Sequence, residues 1–104
     1  MTTVQILPAA AQRIGEIYTY TQDKWGDAQA EKYETGLFSA IEAMACQLPP
    51  SRQVSARFGF NGFTFRYERH FVYWRYLADG TIGIVTVLHE RMHQMAQLRR
   101  DVGP

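Results

Sequence analysis

The run Ile82-Gly83-Ile84-Val85-Thr86-Val87-Leu88 passes directly into His89-Glu90-Arg91-Met92-His93. Its first seven residues are the strongest strand-forming stretch of the chain, because β-branched side chains suit a pleated surface. The next five spell HExxH, the string on which zinc proteases hold their metal. That chemistry needs both histidines one helical turn apart, a glutamate between them as base, and a third protein ligand. Here the string follows a strand with no room for a long helix. The extended metzincin form would require a histidine at position 99, which is Arg99, and Asp101 is the sole carboxylate among the eleven residues after His93. His70 and Asp79 both fall near expected hairpin turns. No metal ligand and no cofactor is assigned. In the plain reading His89 closes the last strand, Arg91 pairs with a carboxylate and His93 lies on the surface.

Working outward, three more runs share the strand character: Gln53–Phe58, Phe63–Arg69 and Phe71–Leu77. Phe63, Phe65 and Tyr67 alternate with Thr64, Arg66 and Glu68, the period of a half-buried strand. Asn61-Gly62 and Asp79-Gly80 are the pairs that type I′ hairpins prefer. These runs predict an antiparallel meander over 53–88. Before them the period is helical. Thr3–Leu7 is a short β-like run ended by Pro8, a residue suited to the first helical position. Ala10, Ile14, Ile17, Tyr18, Thr21 and Trp25 mark one face of a first helix. Ala30, Tyr33, Leu37, Ala40, Ile41, Met44 and Leu48 mark one face of a second, with Glu31, Glu34 and Glu42 toward water. Trp25-Gly26-Asp27 reads as stop and restart, with Asp27 as N-cap, and Pro49-Pro50 as the final stop. The expected layout is one domain over 1–104: a strand in 1–8, a helical hairpin in 9–48 packed on one sheet face, the meander in 53–88, and an exit segment in 89–104, in which residues 92–102 allow either a final helix turn or two or a frayed end.

At 104 residues the chain supports one modest core. The lone Cys46 suits a reducing cytoplasm, and no apolar run approaches the roughly 20 residues that span a bilayer, so a cytoplasmic protein is expected. The net charge of +1 hides an asymmetry. Residues 1–50 carry three cations against six acids, a net −3; residues 51–104 carry eight cations, all arginine, against four acids, a net +4. Arginine suits bidentate pairing with carboxylates or phosphates. A sequence pI of 7.9 is low for a protein that lives on nucleic acid, so an acidic protein segment is the expected partner.

The order of these pieces resembles the ParE branch of the RelE/ParE toxin superfamily over nearly the whole chain. Ile14, Ile17, Tyr18 and Tyr20, then Trp25-Gly26-Asp27-Ala28-Gln29-Ala30 and Tyr33, resemble the family's opening hairpin. Leu48-Pro49 with Arg52 resembles its passage into the sheet. Arg66 and Arg69-His70-Phe71-Val72-Tyr73-Trp74-Arg75 resemble its central strands, and Val87-Leu88-His89-Glu90-Arg91-Met92 its terminal strand and exit. Family members usually carry Asp where this chain has His93, and that difference creates the HExxH string.

The resemblance implies an α+β fold in the order β-α-α-β-β-β-β and a plasmid-stabilisation or chromosomal toxin–antitoxin role. It also implies inhibition of DNA gyrase by binding, and neutralisation by a ParD-like antitoxin with an acidic C-terminal segment. The target-binding residues expected on this reading are Trp74, Arg75, His89, Arg91, Met92 and His93, types enriched at interface hot spots. A mid-strand aromatic such as Trp74 is more often core than contact. The arginines assigned to the antitoxin are Arg52, Arg57, Arg66 and Arg69. The alternative is a RelE-like, ribosome-dependent mRNA endonuclease that draws base, acid and phosphate-binding groups from Arg66, Arg75, Glu90, His89 and His93. Against it stand only two lysines, Lys24 and Lys32, both in the acidic half, and no tyrosine in the C-terminal segment. A non-toxic relative kept for antitoxin binding is a third possibility.

Overall fold

Gly26 adopts a φ of 92° and donates its N–H to the Gln22 carbonyl, which ends the first helix and lets the chain reverse. The computed structural model describes residues 3–47 and 51–102. Strand β1 (Val4–Ile6) leads into helix α1 (Pro8–Trp25), which packs against helix α2 (Asp27–Gln47). Strands β2 (Arg52–Gln53), β3 (Phe63–Tyr67), β4 (His70–Tyr76) and β5 (Ile82–His89) follow, and helix α3 (Gln94–Val102) closes the chain. Pro8 opens α1 as expected. Asp27 is the first helical residue of α2 and not its cap, because the Gly26 carbonyl already accepts the Ala30 N–H. Leu48 and the Pro49-Pro50 stop lie outside the described residues.

The five strands form one sheet in the order β1-β5-β4-β3-β2. The meander β2–β5 is antiparallel throughout, as its turn spacing predicted. The expected all-antiparallel sheet is corrected in one place: β1 joins β5 in parallel, so the sheet is mixed. The connection between β1 and β5 is long enough to return the chain in the same direction, which a tight hairpin cannot do.

Three turns depart from the sequence reading. Of the run 53–58, only Arg52–Gln53 pairs as a strand, and Ala56–Phe58 is a single 3-10 turn closed by left-handed Gly59. Asn61-Gly62 therefore ends a long connection and makes no tight hairpin. Gly62 is required there for space, since a Cβ would sit 2.6 Å from the Trp74 carbonyl oxygen. At Asp79-Gly80 only the glycine has positive φ, and the Gly80 N–H closes onto the Leu77 carbonyl. Three-residue hairpins commonly close this way, with a type I turn and a left-handed glycine. The genuine two-residue hairpin is Glu68-Arg69, with Glu68 at φ 52°, a backbone state that costs about 1–2 kcal/mol for an ordinary residue.

Strand β5 is buried from Ile82 to Leu88, so both its faces are covered, which is why it reads as a continuous apolar run. The register slips between Tyr73↔Thr86 and Trp74↔Ile84, leaving Val85 as an extra residue. Ile82, Ile84 and Val87 consequently face the α1–α2 hairpin with Val72, Trp74, Leu37, Ile41 and Met44. Val85 and Leu88 face the other way, with Tyr73, Phe60 and Leu98 of α3. A sheet covered on one face by the hairpin is thus half of the architecture; the exit segment forms a helix that seals the second face.

Candidate functional site

Where β5 ends, His89 and His93 do not share a helical turn. His89 closes the strand, Glu90–Met92 form a turn tied by the Met92 N–H to the His89 carbonyl, and His93 caps α3. The Ala96 N–H donates to His93 Nδ1 at 3.1 Å, the bond that an N-cap side chain makes with the third helical residue. The Arg91 N–H donates to His89 Nδ1 at 3.1 Å, so that nitrogen is also occupied. Gln94 donates to the carbonyls of His89 and Met92, and Tyr73 donates to Gln94, pinning the turn to the sheet. HExxH is therefore a strand end, a turn and a cap, without the helical spacing a zinc protease uses. Among the described residues, no group of three or more His, Cys, Asp or Glu is placed to hold a metal ion.

Glu90 organises what lies beside this turn. Its carboxylate pairs with Arg66 and, at 3.1 Å, with Arg69, while its N–H donates to the Arg69 carbonyl. Arg66 also donates to the Glu68 carbonyl and lies over the Phe71 ring, 5.5 Å from its centroid. These bonds hold the strained Glu68-Arg69 hairpin against the exit turn. Desolvation pushes the Glu90 pKa up, but the charges and hydrogen bonds of the two arginines outweigh it and hold it below the usual glutamate value. Arg91, expected to pair with a carboxylate, makes no ion pair among the described residues and stands exposed.

On the hairpin side, Tyr33 of α2 hydrogen-bonds to His70 Nδ1, and the His70 and His89 rings meet edge-on at 5.1 Å. Desolvation first, then the neighbouring His89, lowers the His70 pKa to about 4, although Glu90 opposes the shift. Burial raises the Tyr33 phenol to about 12. Gly36 permits this packing, since a Cβ there would sit 2.1 Å from the Tyr67 hydroxyl. Neither residue carries a site role in sequence: Tyr33 stands on the second helix's stripe and in the hairpin that carries the resemblance, and Tyr67 is one of the alternating residues of its strand.

The residues expected to act together are only partly gathered. The exposed Arg91, Met92 and His93 form one corner with the half-buried His89, and Arg66 and Arg69 lie beside it through Glu90. Trp74 is a correction: at 3% exposure it stacks on Phe63 at 4.5 Å and donates to the Ser51 hydroxyl, so its indole is core. Arg75 lies five residues along β4 from His70, about 17 Å at strand rise, on the other sheet face from His70. Arg52 sits on the edge strand opposite Thr64, and Arg57 lies in the 3-10 turn, where its carbonyl accepts from Arg99. Among the described residues, Arg52, Arg57, Arg75, Arg91, Arg99 and Arg100 make no ion pair.

A family model described as ParE toxin of type II toxin-antitoxin system, parDE, matches residues 4–94. The chain belongs to the ParE toxin family. Toxin ParE1 of Mycobacterium tuberculosis is 36% identical over 86 residues, covering 82% of this chain and 86% of that one. Toxin ParE of Escherichia coli is 33% identical over 97 residues, covering 92% and 93%. A solved chain described as the chromosomal ParDE TA system from P. aeruginosa superposes with a TM-score of 0.67 at 16% identity, over 86% of this chain and 96% of that one. The ParE arrangement of hairpin, mixed sheet and exit turn is thus the scaffold here. Most of α3 lies beyond the matched span.

The family difference at His93 is testable through its cap. Aspartate caps a helix well and its charge favours the positive N-terminal end. His93→Asp is expected to stabilise the protein by about 0.5–1 kcal/mol, read as a rise of a few degrees in Tm with unchanged circular dichroism. A variant less stable than wild type would mean that the imidazole does more here than cap α3.

Proposed function

We propose that this ParE family member is the toxin of a pair, that it poisons DNA gyrase in the cytoplasm by binding, and that a ParD-like antitoxin neutralises it. The observation that carries this reading over ribosome-dependent mRNA cleavage is that the candidate nuclease groups at the exit turn are already engaged by one another or by backbone N–H groups, while Arg75 stands apart from them. Glu90 is bound to Arg66, His93 is committed to the α3 cap, and Arg75 stands at the other end of β4. General acid–base cleavage needs those groups within hydrogen-bonding reach of one phosphate. The corner of His89, Arg91, Met92 and His93 offers binding chemistry instead. The antitoxin's acidic segment fits the arginines without an ion pair on the α3 side, Arg52, Arg57, Arg75 and Arg99, better than Arg66 and Arg69, which Glu90 already engages. Among the described residues, no helix is long and apolar enough to cross a membrane.

The test is a supercoiling assay with purified gyrase. The protein is expected to block supercoiling and to accumulate cleaved DNA, and an equimolar cognate antitoxin is expected to restore activity. Protein-dependent cuts in mRNA on translating ribosomes, with supercoiling untouched, would replace this reading with the endonuclease.

A further inference from the structure

The apolar stripe of α1 runs further than the core it covers. Ala10 and Ile14 are buried and Ile17 packs against the hairpin-side core, but Tyr18, on the same face, is only half-buried. Trp25, seven residues on from Tyr18 and therefore above it on that face, is 72% exposed, the highest value among the large apolar side chains. Between Ile17 and Tyr33, Ala30 is buried, but no residue joins either core cluster against the sheet, so the loop end of the hairpin overhangs it. With Tyr20, 62% exposed, and the half-buried Tyr18, Trp25 makes this end of α1 rich in uncovered aromatic surface, and clustered exposed apolar surface marks interaction sites.

The charge beside the stripe narrows what covers it. Asp27, Glu31 and Glu34 are the carboxylates whose field acts on the Tyr18 phenol; desolvation first, and then these three, raise its pKa. None of the three makes an ion pair among the described residues. Lys24 and Lys32 lie in the same stretch, but Asp23, Asp27, Glu31 and Glu34 outnumber them four to two. A second copy meeting through the same overhang would therefore bring together surfaces of like net charge, which disfavours a symmetric dimer. An acidic antitoxin segment is disfavoured for the same reason. The complementary partner is a basic surface with an apolar recess for an indole. An enzyme that handles DNA must carry basic surface for phosphates.

Resting on the gyrase reading above, we infer that the overhanging end of the hairpin, with Trp25 and Tyr18 as anchors and Asp27, Glu31 and Glu34 as its charged rim, docks on the basic DNA-facing surface of the target. The acidic hairpin end then adds a second contact to the target beside that of the exit corner, and the arginines without an ion pair on the α3 side are left to the antitoxin.

Purified gyrase is the probe, with wild type, Trp25→Ala and Glu31→Lys compared in the supercoiling assay and antitoxin binding measured in parallel. Both side chains are exposed, so both variants are expected to melt within about 2 °C of wild type. Trp25→Ala should raise the concentration for half-inhibition by about 30-fold or more, the size of a hot-spot loss. Glu31→Lys should raise it several-fold at low salt and less at high salt, as a rim charge does. Both should bind antitoxin like wild type. Variants that inhibit like wild type overturn the inference and leave the gyrase reading standing. Loss of antitoxin binding in Trp25→Ala, or wild-type self-association that this variant abolishes, overturns it in favour of those occupants. A wild-type protein with no effect on supercoiling overturns the inference together with the reading beneath it.

Discussion

Asp101→Ala is expected to destabilise the protein by about 2–4 kcal/mol and to lower Tm by about 10 °C or more. Asp101 lies on α3 and accepts two bonds from the Arg13 guanidinium of α1, at 2.9 and 3.0 Å. It also accepts the Thr86 hydroxyl of β5 at 2.7 Å. Side-chain exposure is 9% for Asp101 and 18% for Arg13, and Thr86 is fully buried. Removing the carboxylate leaves a largely desolvated cation and a buried hydroxyl without their acceptor, and that loss, not the net value of the pair, sets the cost. The upper end is discounted because Arg13 keeps some solvent and reaches Glu16 and Gln97. The position matters because β1 pairs with β5 only as far as Ile84, so Thr86 sits where the strand has lost that neighbour. Denaturant titration measures the effect, and amide exchange should quicken first in α3. A midpoint shift equivalent to less than about 0.5 kcal/mol would show that α3 is held by its other contacts, Leu98 and Val102 in the core and the bonds of Gln94 and Arg99.

The second large effect is on acid stability. His70 titrates near 6.5 when unfolded and at about 4 in the folded protein. Above pH 6.5 the ring is neutral in both states and its burial costs nothing in protonation. Between 6.5 and 4 the unfolded chain takes up a proton that the folded ring refuses, so stability falls as pH falls. The full loss is about 3 kcal/mol once pH passes below 4. His70→Gln should unfold more easily at pH 7.5, since the fit against Tyr33 and His89 is disturbed. Its stability should nevertheless change little between pH 6.5 and 4.5, where that of wild type drops. Parallel pH profiles for the two proteins would assign the acid loss to other groups. Asp101 adds a separate component at lower pH: desolvation raises its pKa, but the bonds from Arg13 and Thr86 prevail and hold it below the ordinary value. Its contribution is present above the unfolded carboxyl range and is lost as pH falls through the folded value.

The candidate site was legible in its position and not in its pairing. The exit from β5 and the Arg-His pair before β4 stand out in sequence, and the fold brings them together. That Glu90 engages Arg66 and Arg69, leaving Arg91 exposed, depends on the register His70↔His89, which no local pattern encodes. Both tryptophans were misread for one reason. Trp74 is named a contact although a mid-strand aromatic is more often core, and Trp25 is placed on the covered stripe of the first helix, because periodicity tells which residues share a face but not where that face stops being covered. Of the two fates the sequence leaves open for residues 92–102, a final helix turn or two or a frayed end, the structure takes the first. The cap made by His93 with the apolar spacing of Met95, Leu98 and Val102 is the signal that favours it.

What the sequence determined by itself is local in origin. Period 3.6 against period 2, Pro8, Gly26 and the β-branched run 82–88 settle two helices, the central strand and their order, since each signal acts within a turn or two of chain. What only the tertiary structure decided depends on residues far apart in sequence. The parallel pairing of β1, the extra residue at Val85, the sealing of the second face by α3 and the Arg13–Asp101–Thr86 contact belong here. Their free energies exist only once the partners meet, so no stretch of sequence carries them alone.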